Sequence, residues 1–152
     1  MFYPDNDYHV RPLTGADLEQ VCAIENRAYK LPWSDKIHAQ CIESGYPSLV
    51  LEQGGAIIGY AIFNYLYDEC HLMNIVTDPG FQGLGVASLL ISAMYERAKE
   101  SGMVKVILEV RASNQIAIDF YHKQEFVEIG LRKDYYKTAD GREDALVMER
   151  VL

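Results

Sequence analysis

The sequence has few cysteines, and their spacing is not typical of a disulfide framework or of a structural zinc site. Only Cys22, Cys41 and Cys70 occur in the 152 residues. Their number is odd and none forms a Cys-x-x-Cys pair, whereas disulfide frames and zinc sites need paired cysteines. The four histidines also lack a metal-ligand spacing. We therefore expect a protein of a reducing compartment that binds no metal.

Long hydrophobic runs are also absent. No apolar stretch approaches the roughly 20 residues that a helix needs to span a bilayer. The first residues, Met1 to Asn6, lack the basic and then apolar pattern of a secretory signal. These features predict a soluble, cytoplasmic protein.

Positive charge is scarce relative to negative charge. The sequence has 14 Lys and Arg against 22 Asp and Glu, which gives a formal net charge of -8. A surplus of this sign repels nucleic-acid phosphates, so we expect no direct nucleic-acid binding. It attracts basic peptides and polyamines instead.

The length and composition predict one globular domain over residues 1–152. Hydrophobic residues make up 49% and charged residues 24% of the chain, which is ordinary for a soluble domain. A chain of this size buries enough apolar surface to form a core without disulfides. Neither an internal repeat nor a Pro/Gly/Ser-rich linker divides the sequence.

Hydrophobic periodicity predicts an α/β protein of the α+β type, with a single mixed central sheet of about seven strands flanked by about four helices. The segment from 70 to 110 has the pattern of a strand, a helix and a second strand, which requires a parallel pair of strands. We predict strands at 8–12, 48–52, 56–67, 70–77, 104–110, 126–132 and 145–152, and helices at 14–29, 34–44, 84–101 and 114–124.

A glycine-rich loop separates the strand at 70–77 from the long helix. Gly83 and Gly85 allow the backbone to approach a ligand closely, and the following helix offers N–H groups and the positive end of its dipole. Together these features favour a pyrophosphate site. A plain turn is the alternative. The loop is neither a P-loop nor a Rossmann fingerprint, because Lys-Ser/Thr and a third glycine at the required spacing are missing.

Two carboxylates stand at positions where the pattern predicts apolar surroundings. Glu109 lies near the end of the apolar strand at 104–110, where a charge is costly unless it is paired or used. It either forms an ion pair, for instance with Arg111, or serves a reaction. Glu25 falls on the apolar face of the first helix. It is either a paired charge at the edge of the core or a carboxylate that faces a substrate groove.

One helix face follows the strand that carries Glu109. Asn114, Ala117 and Tyr121 lie at i, i+3 and i+7 and therefore share this face. Without further information, a tyrosine at such a position is more often part of the core or its rim than catalytic.

Several motifs resemble the GNAT superfamily of N-acetyltransferases. The loop carries Gln82-x-x-Gly85-x-Ala87, which is similar to the pyrophosphate-binding signature of that family. The segments Glu-Val-Arg-Ala-Ser-Asn at 109–114 and Asp-Gly-Arg-Glu-Asp-Ala at 140–145 resemble more narrowly the bacterial enzymes that acetylate the N-terminal alanine of a ribosomal protein. The resemblance covers nearly the whole chain from about Leu13.

The resemblance implies roles for individual residues. Glu109 corresponds to the general base and Tyr121 to the general acid. Gly83 replaces an arginine that is frequent in the family, which implies somewhat weaker cofactor binding. The positions implied to bind coenzyme A are Ile75, Val76, Thr77, Gln82, Gly83, Leu84, Gly85, Val86, Ala87, Ser88 and Asn114.

The resemblance further implies transfer of an acetyl group from acetyl-CoA to the N-terminal α-amino group of a protein. The implied partner is a basic N-terminus, that of a small-subunit ribosomal protein. Candidate peptide contacts are Glu25, Trp33, Tyr135 and Tyr136. Two alternatives remain, namely an acetyltransferase for another amine (a lysine side chain, a polyamine or a small metabolite) and a non-enzymatic module that binds acetyl-CoA.

Overall fold

A computed structural model describes residues 1–4 and 6–152. The contacts within the chain divide it into two compact units. The first unit comprises Met1–Asn64 and Met73–Arg97, and the second comprises Tyr65–Leu72 and Ala98–Leu152. The prediction of one domain over residues 1–152 stays a prediction.

The described residues form eight strands in one mixed sheet, together with four α-helices. The strand order in the sheet is β1-β2-β3-β4-β5-β6-β8-β7. The elements are β1 (Phe2–Tyr3), β2 (Tyr8–Pro12), α1 (Leu18–Ala28), α2 (Asp35–Glu43), β3 (Leu49–Gln53), β4 (Ala56–Leu66), β5 (Glu69–Thr77), α3 (Val86–Glu100), β6 (Lys105–Arg111), α4 (Gln115–Lys123), β7 (Val127–Lys137) and β8 (Arg142–Val151).

The predicted fold class is confirmed, and the strand that the sequence analysis missed is β1. Its two residues pair with β2, Phe2 opposite His9 and Tyr3 opposite Tyr8. A strand of two residues is too short to show an alternating pattern, so periodicity cannot detect it.

In the first unit, an antiparallel meander packs against α1. β2 pairs with β3 and β3 pairs with β4, both antiparallel, and the turn between β3 and β4 contains Gly54 and Gly55, with positive φ angles of 56° and 83°. A core cluster around Val21, Ile24 and Tyr60 is nearly inaccessible to solvent. The helix predicted from Thr14 begins as a short 3₁₀ turn, Gly15–Asp17, before α1 continues from Leu18.

In the second unit, the predicted parallel pair is confirmed. The part of β5 from Glu69 to Leu72 pairs in parallel with β6, and β8 pairs antiparallel with both β6 and β7. The last two strands are longer than predicted, because β7 runs on to Lys137 and β8 begins at Arg142. The extension of β7 is mostly exposed, that of β8 is exposed or half-buried, and neither shows hydrophobic alternation that would reveal it.

Among the described residues, no helix has the length and apolar character needed to cross a membrane.

Candidate active site

In the first unit, the glycine loop starts from a fixed point at the end of β5. The backbone N–H of Asp78 donates to the carbonyl of Ile58 at 2.8 Å. The Asp78 side chain accepts from the N–H of Gly80 at 3.3 Å and pairs with Arg27 at 2.7 Å. Two contacts therefore hold the carboxylate and a third holds the backbone, which sets where the loop leaves the sheet.

The loop itself has the backbone geometry that the pyrophosphate hypothesis requires. Gly83 and Gly85 have φ angles of 78° and 80°, in the left-handed region that favours glycine. Apart from the glycine itself and its two chain neighbours, no heavy atom lies within 4 Å of where a Cβ would stand on either residue. The N–H of Leu89 donates to the carbonyl of Gly85 at 3.1 Å, so α3 begins directly after the loop and directs its first N–H groups out of its end. Coenzyme A binding by Gln82 to Ser88 stays a prediction.

The predicted pantetheine-binding positions lie at the end of β5. Val76 is 3% exposed and belongs to the core cluster, whereas Ile75 and Thr77 are partly exposed. The hydroxyl of Tyr29 donates to the carbonyl of Ile75 at 3.4 Å. Because the Val76 side chain is buried, its implied role would fall to its backbone.

Glu25 lies inside the first unit rather than on its surface. The residue is 1% exposed. Its carboxylate accepts hydrogen bonds from the backbone N–H of Trp33 at 3.0 Å, the hydroxyl of Tyr60 at 2.5 Å and the side-chain amide of Asn74 at 2.7 Å. The Nε2 atom of His38, itself fully buried, lies 3.4 Å away. Of the two alternatives, the partnered carboxylate describes this environment, and a direct peptide contact stays a prediction.

The hydrogen bonds to Glu25 lower the pKa of its carboxyl by more than burial raises it. Burial acts to raise the pKa of the carboxyl, but the contacts with His38, Tyr60, Trp33 and Asn74 together hold that pKa below its usual value. Trp33, another predicted peptide contact, is partly buried against the core cluster, and its ring lies 5.2 Å from that of His38. The network thus fixes the segment that joins α1 to α2.

In the second unit, Glu109 forms an ion pair, but not with the residue that the sequence suggests. Its Oε1 lies 3.2 Å from the Nε of Arg132 on β7. Arg111 pairs instead with Glu143 at 3.0 Å and donates to the carbonyl of Lys137 at 2.9 Å. Of the two alternatives for Glu109, the ion-paired carboxylate describes this environment, with Arg132 as the partner instead of the Arg111 given as an example.

The strand register explains this choice of partner. On β8, Val147 is opposite Glu109 and Ala145 is opposite both Arg111 and Arg132. Residues directly opposite one another share a face of the sheet, as do residues two apart on one strand. Glu109 and Arg132 therefore lie diagonally across β8 on one face. The small side chain of Ala145 leaves space for the arginine to reach across.

Each of the two predicted tyrosines of β7 contacts one residue of this ion pair. The hydroxyl of Tyr136 donates to the backbone carbonyl of Glu109 at 3.1 Å, and the guanidinium of Arg111 lies 4.5 Å above the Tyr136 ring. Tyr135 is 45% exposed, and the Arg132 guanidinium lies 5.7 Å from its ring centre. The structure thus brings Tyr135, Tyr136 and Glu109 into one cluster.

The other two predicted residues of this unit belong to α4. Asn114 caps the helix, with its side-chain oxygen accepting from the N–H of Ala117 at 3.2 Å. Tyr121 is 8% exposed, and its ring makes edge contacts with Phe120 at 5.4 Å and Phe126 at 5.6 Å. Their roles in binding and catalysis stay predictions.

The three thiols are poorly suited to nucleophilic chemistry. All three cysteines are buried, and burial raises the pKa of Cys70 to about 12 and that of Cys22 to about 11. Thiolate character, which a nucleophile requires, is thereby suppressed. Among the described residues, no group of three or more His, Cys, Asp or Glu side chains is placed to hold a metal ion.

Sequence reasoning missed the partners of these residues. Arg132, Tyr60 and His38 approach the predicted site residues from distant parts of the chain. A single sequence carries no signal for such pairings, because they depend on strand register and helix docking.

Comparison with known proteins gives the class of this protein. The Acetyltransferase (GNAT) family profile matches residues 17–126, and the fold and the glycine loop described above agree with it. The chain therefore belongs to the GNAT acetyltransferase family and is an acyltransferase.

The chain is also similar to individual proteins over most of its length. The chain is 37% identical over 139 residues, 91% of this chain and 94% of the other, to the [ribosomal protein bS18]-alanine N-acetyltransferase of Escherichia coli K12. The crystal structure of the ribosomal-protein-S18-alanine N-acetyltransferase from Escherichia coli superposes with a TM-score of 0.89 at 36% identity, covering 95% of this chain and 93% of that one. Ard1 from Thermoplasma volcanium superposes with a TM-score of 0.87 at 26% identity, covering 95% and 97%.

Proposed function

We propose that this protein transfers the acetyl group of acetyl-CoA to the N-terminal alanine of ribosomal protein bS18, by direct attack of the amine. The observation that carries the proposal is the 37% identity, over 91% of the chain, to an enzyme named for that reaction. The carboxylate of Glu109 at the end of β6 and the open glycine loop before α3 support it.

The first chemical requirement is removal of a proton from the amine. A free α-amino group has a pKa of about 8, so most of it is protonated at neutral pH and cannot attack a thioester. In the proposal, Glu109 accepts this proton, directly or through one water. Its side chain is 21% exposed, which leaves the carboxylate accessible to a substrate.

The second requirement is alignment of the thioester. Gln82 to Ser88 and Asn114 hold coenzyme A in the proposal, and the backbone of Ile75 to Thr77 bonds its pantetheine arm. The positive φ angles of Gly83 and Gly85 suit close approach of a pyrophosphate to the backbone. A backbone N–H near Ile75 stabilises the oxyanion that forms when the amine attacks.

The third requirement is protonation of the leaving thiolate. A tyrosine ordinarily carries its proton at neutral pH and can donate it, and Tyr121 takes this role in the proposal. The reaction then needs no covalent intermediate, in keeping with the raised pKa values of the buried Cys22 and Cys70 thiols.

The charge of the protein suits a basic substrate. A net charge of -8 speeds the encounter with a basic N-terminus and makes it sensitive to ionic strength. Trp33, Tyr135 and Tyr136, together with the segment that Glu25 holds, are the proposed peptide contacts. A ribosomal substrate places the proposed reaction in the cytoplasm.

The test is acetyl transfer from acetyl-CoA to a peptide copied from the first residues of bS18. A matched peptide with a blocked N-terminus and free lysines reports side-chain acetylation. Transfer to the free N-terminus alone supports the proposal, and replacement of the leading alanine should then lower kcat/KM. Transfer to the blocked peptide identifies a lysine acetyltransferase. Coenzyme A binding without transfer to any amine points to a binding module.

A further inference from the structure

The proposed base of the reaction is occupied by a cation of the protein itself. The Nε of Arg132 lies 3.2 Å from Oε1 of Glu109. While the pair persists, the guanidinium of Arg132 occupies the space beside this carboxylate oxygen. An ammonium group that approaches Glu109 therefore meets a cation already in contact with the carboxylate.

The Glu109–Arg132 ion pair is solvent-exposed on the arginine side, so little free energy is needed to separate it. The Arg132 side chain is 57% exposed, and ion pairs at such sites contribute little to stability. The guanidinium also lies 5.7 Å from the centre of the Tyr135 ring, within cation–π distance. When the ion pair opens, this ring can continue to hold the released guanidinium near its present place.

The contrast with the neighbouring arginine supports this interpretation. Arg111 lies over the Tyr136 ring at 4.5 Å, pairs with Glu143 and donates to the carbonyl of Lys137. Its side chain is 32% exposed. Arg111 is therefore fixed by three contacts on one face of the sheet, whereas Arg132, among the described residues, contacts Glu109 and the Tyr135 ring and is more exposed.

We propose that Arg132 is a resting-state counter-ion of Glu109 and that the protonated amine of the substrate displaces it. This inference rests on the proposed function. One cation replaces another, so the carboxylate never stands unpaired. The ammonium then gives its proton to Glu109, which leaves a neutral amine with a free electron pair and a neutral carboxyl group. Arg132, unlike the ammonium, cannot supply that proton, because a guanidinium does not deprotonate in proteins.

The exchange favours one chemical class of substrate, an amine that arrives protonated. An N-terminus blocked as an amide carries no positive charge and cannot compete with a guanidinium for the carboxylate. Arg132 thus acts through Glu109 as a positioning and selecting residue.

The experiment measures the affinity of the free-N-terminus bS18 peptide in the presence of coenzyme A, so that no transfer occurs. Removing the competing cation with Arg132→Gln should lower the peptide Kd by about two- to fivefold, the range expected for loss of one exposed ion pair. Arg132→Lys keeps a cation and should stay near the wild-type Kd. Equal coenzyme A affinity in all variants verifies that they are folded.

Two controls separate displacement from a general effect of charge. Lys133→Gln removes a positive charge from the next position of β7, and it should change the Kd by clearly less than Arg132→Gln. In a Glu109→Gln background, Arg132→Gln should have no effect, because the carboxylate for which the arginine and the substrate amine compete is absent. In steady state, Arg132→Gln should lower the peptide KM.

A peptide Kd that is unchanged or higher in Arg132→Gln overturns the inference. So does an equal effect of Lys133→Gln, or a tightening that persists without the Glu109 carboxylate. If the wild-type protein transfers acetyl to no N-terminal amine, the proposed function fails, and this inference, which rests on it, fails as well. Transfer by the wild type together with any of the contrary Kd results removes the inference alone.

Discussion

Gly59 on β4 lies directly against Val86, the first residue of α3. A Cβ on Gly59 would stand 2.7 Å from the Cγ1 of Val86 and 3.1 Å from the carbonyl oxygen of Val76. Only a glycine allows the strand to pass this close to the start of the helix. The position of the first turn of α3, where the coenzyme A pyrophosphate is proposed to bind, therefore depends on a missing side chain in another strand.

Gly59→Ala should lower the free energy of unfolding by about 1–3 kcal/mol, the usual cost of overpacking, and should weaken coenzyme A binding because the start of α3 must move. Urea denaturation and calorimetric titration measure the two effects. Gly15→Ala is the matched control, since nothing lies within 4 Å of its added Cβ. The double variant Gly59→Ala/Val86→Ala removes the clashing Cγ1 and should recover part of the coenzyme A affinity; no recovery would contradict the account.

Glu109→Gln should lower kcat for the peptide by about 10²- to 10⁴-fold, the usual contribution of a general base. Coenzyme A affinity should change little, because the substituted side chain keeps its shape. Turnover assays and titration with coenzyme A separate these effects. Glu143→Gln on β8 is the control, since it also removes a carboxylate from the same face but leaves Glu109 in place. Turnover equal to that of the wild type would exclude Glu109 as the base.

Tyr121→Phe should lower kcat by about tenfold to a hundredfold, at or below the lower end for acid–base catalysis, because a thiolate with a conjugate-acid pKa of about 8.5 leaves with only modest assistance. The ring contacts with Phe120 and Phe126 remain possible in the variant. The melting temperature of the variant reports any loss of stability separately from the change in kcat. A large drop in stability with unchanged kcat would instead assign Tyr121 to the core.

Glu25→Gln should reduce the free energy of unfolding at pH 7 by about 1–3 kcal/mol, because hydrogen bonds to a buried charge are weakened. The pKa of Glu25 is lowered in the folded state, so its contribution is complete above the unfolded pKa of about 4.3 and is lost as the pH falls through the folded pKa.

The difference between wild type and Glu25→Gln should therefore shrink as the pH is lowered below about 4.3. Urea denaturation at pH 7, 5 and 3.5 tests this. Glu43→Gln, at the exposed end of α2, is the control and should be nearly neutral at each pH. A constant difference across this range would show that the Glu25 charge does not contribute.

The sequence was sufficient for the order of elements and for most of the sheet, since strong hydrophobic periodicity sets both. In α3, for example, Leu90, Met94 and Ala98 recur at i, i+4 and i+8, and each of the three is fully buried. The sequence analysis missed β1 because two residues cannot show a period. It ended β7 too early because the strand continues as exposed, polar residues.

The candidate site, like the fold, was predicted from the sequence only in part. The sequence analysis singled out Glu109 as a carboxylate that needs a partner, and the structure supplies one. Arg111 served as the example of such a partner, because it is close in sequence and on the same strand face. Arg132 is reached only across β8, and the shifted register between Arg132 and Tyr136 decides which side chains of β7 meet that face. Such a shift has no signature in one sequence.

The cap of α4 limits what Asn114 is able to recognise. One lone pair of its carbonyl oxygen is taken by the N–H of Ala117, whereas the cap uses neither of the two hydrogens of its amide nitrogen. In the proposed coenzyme A site, Asn114 would therefore offer hydrogen-bond donors to groups such as an amide carbonyl or a phosphoryl oxygen. An aspartate at this position would keep the cap but reverse the polarity of the contact, since an ionised carboxylate has no hydrogen to give.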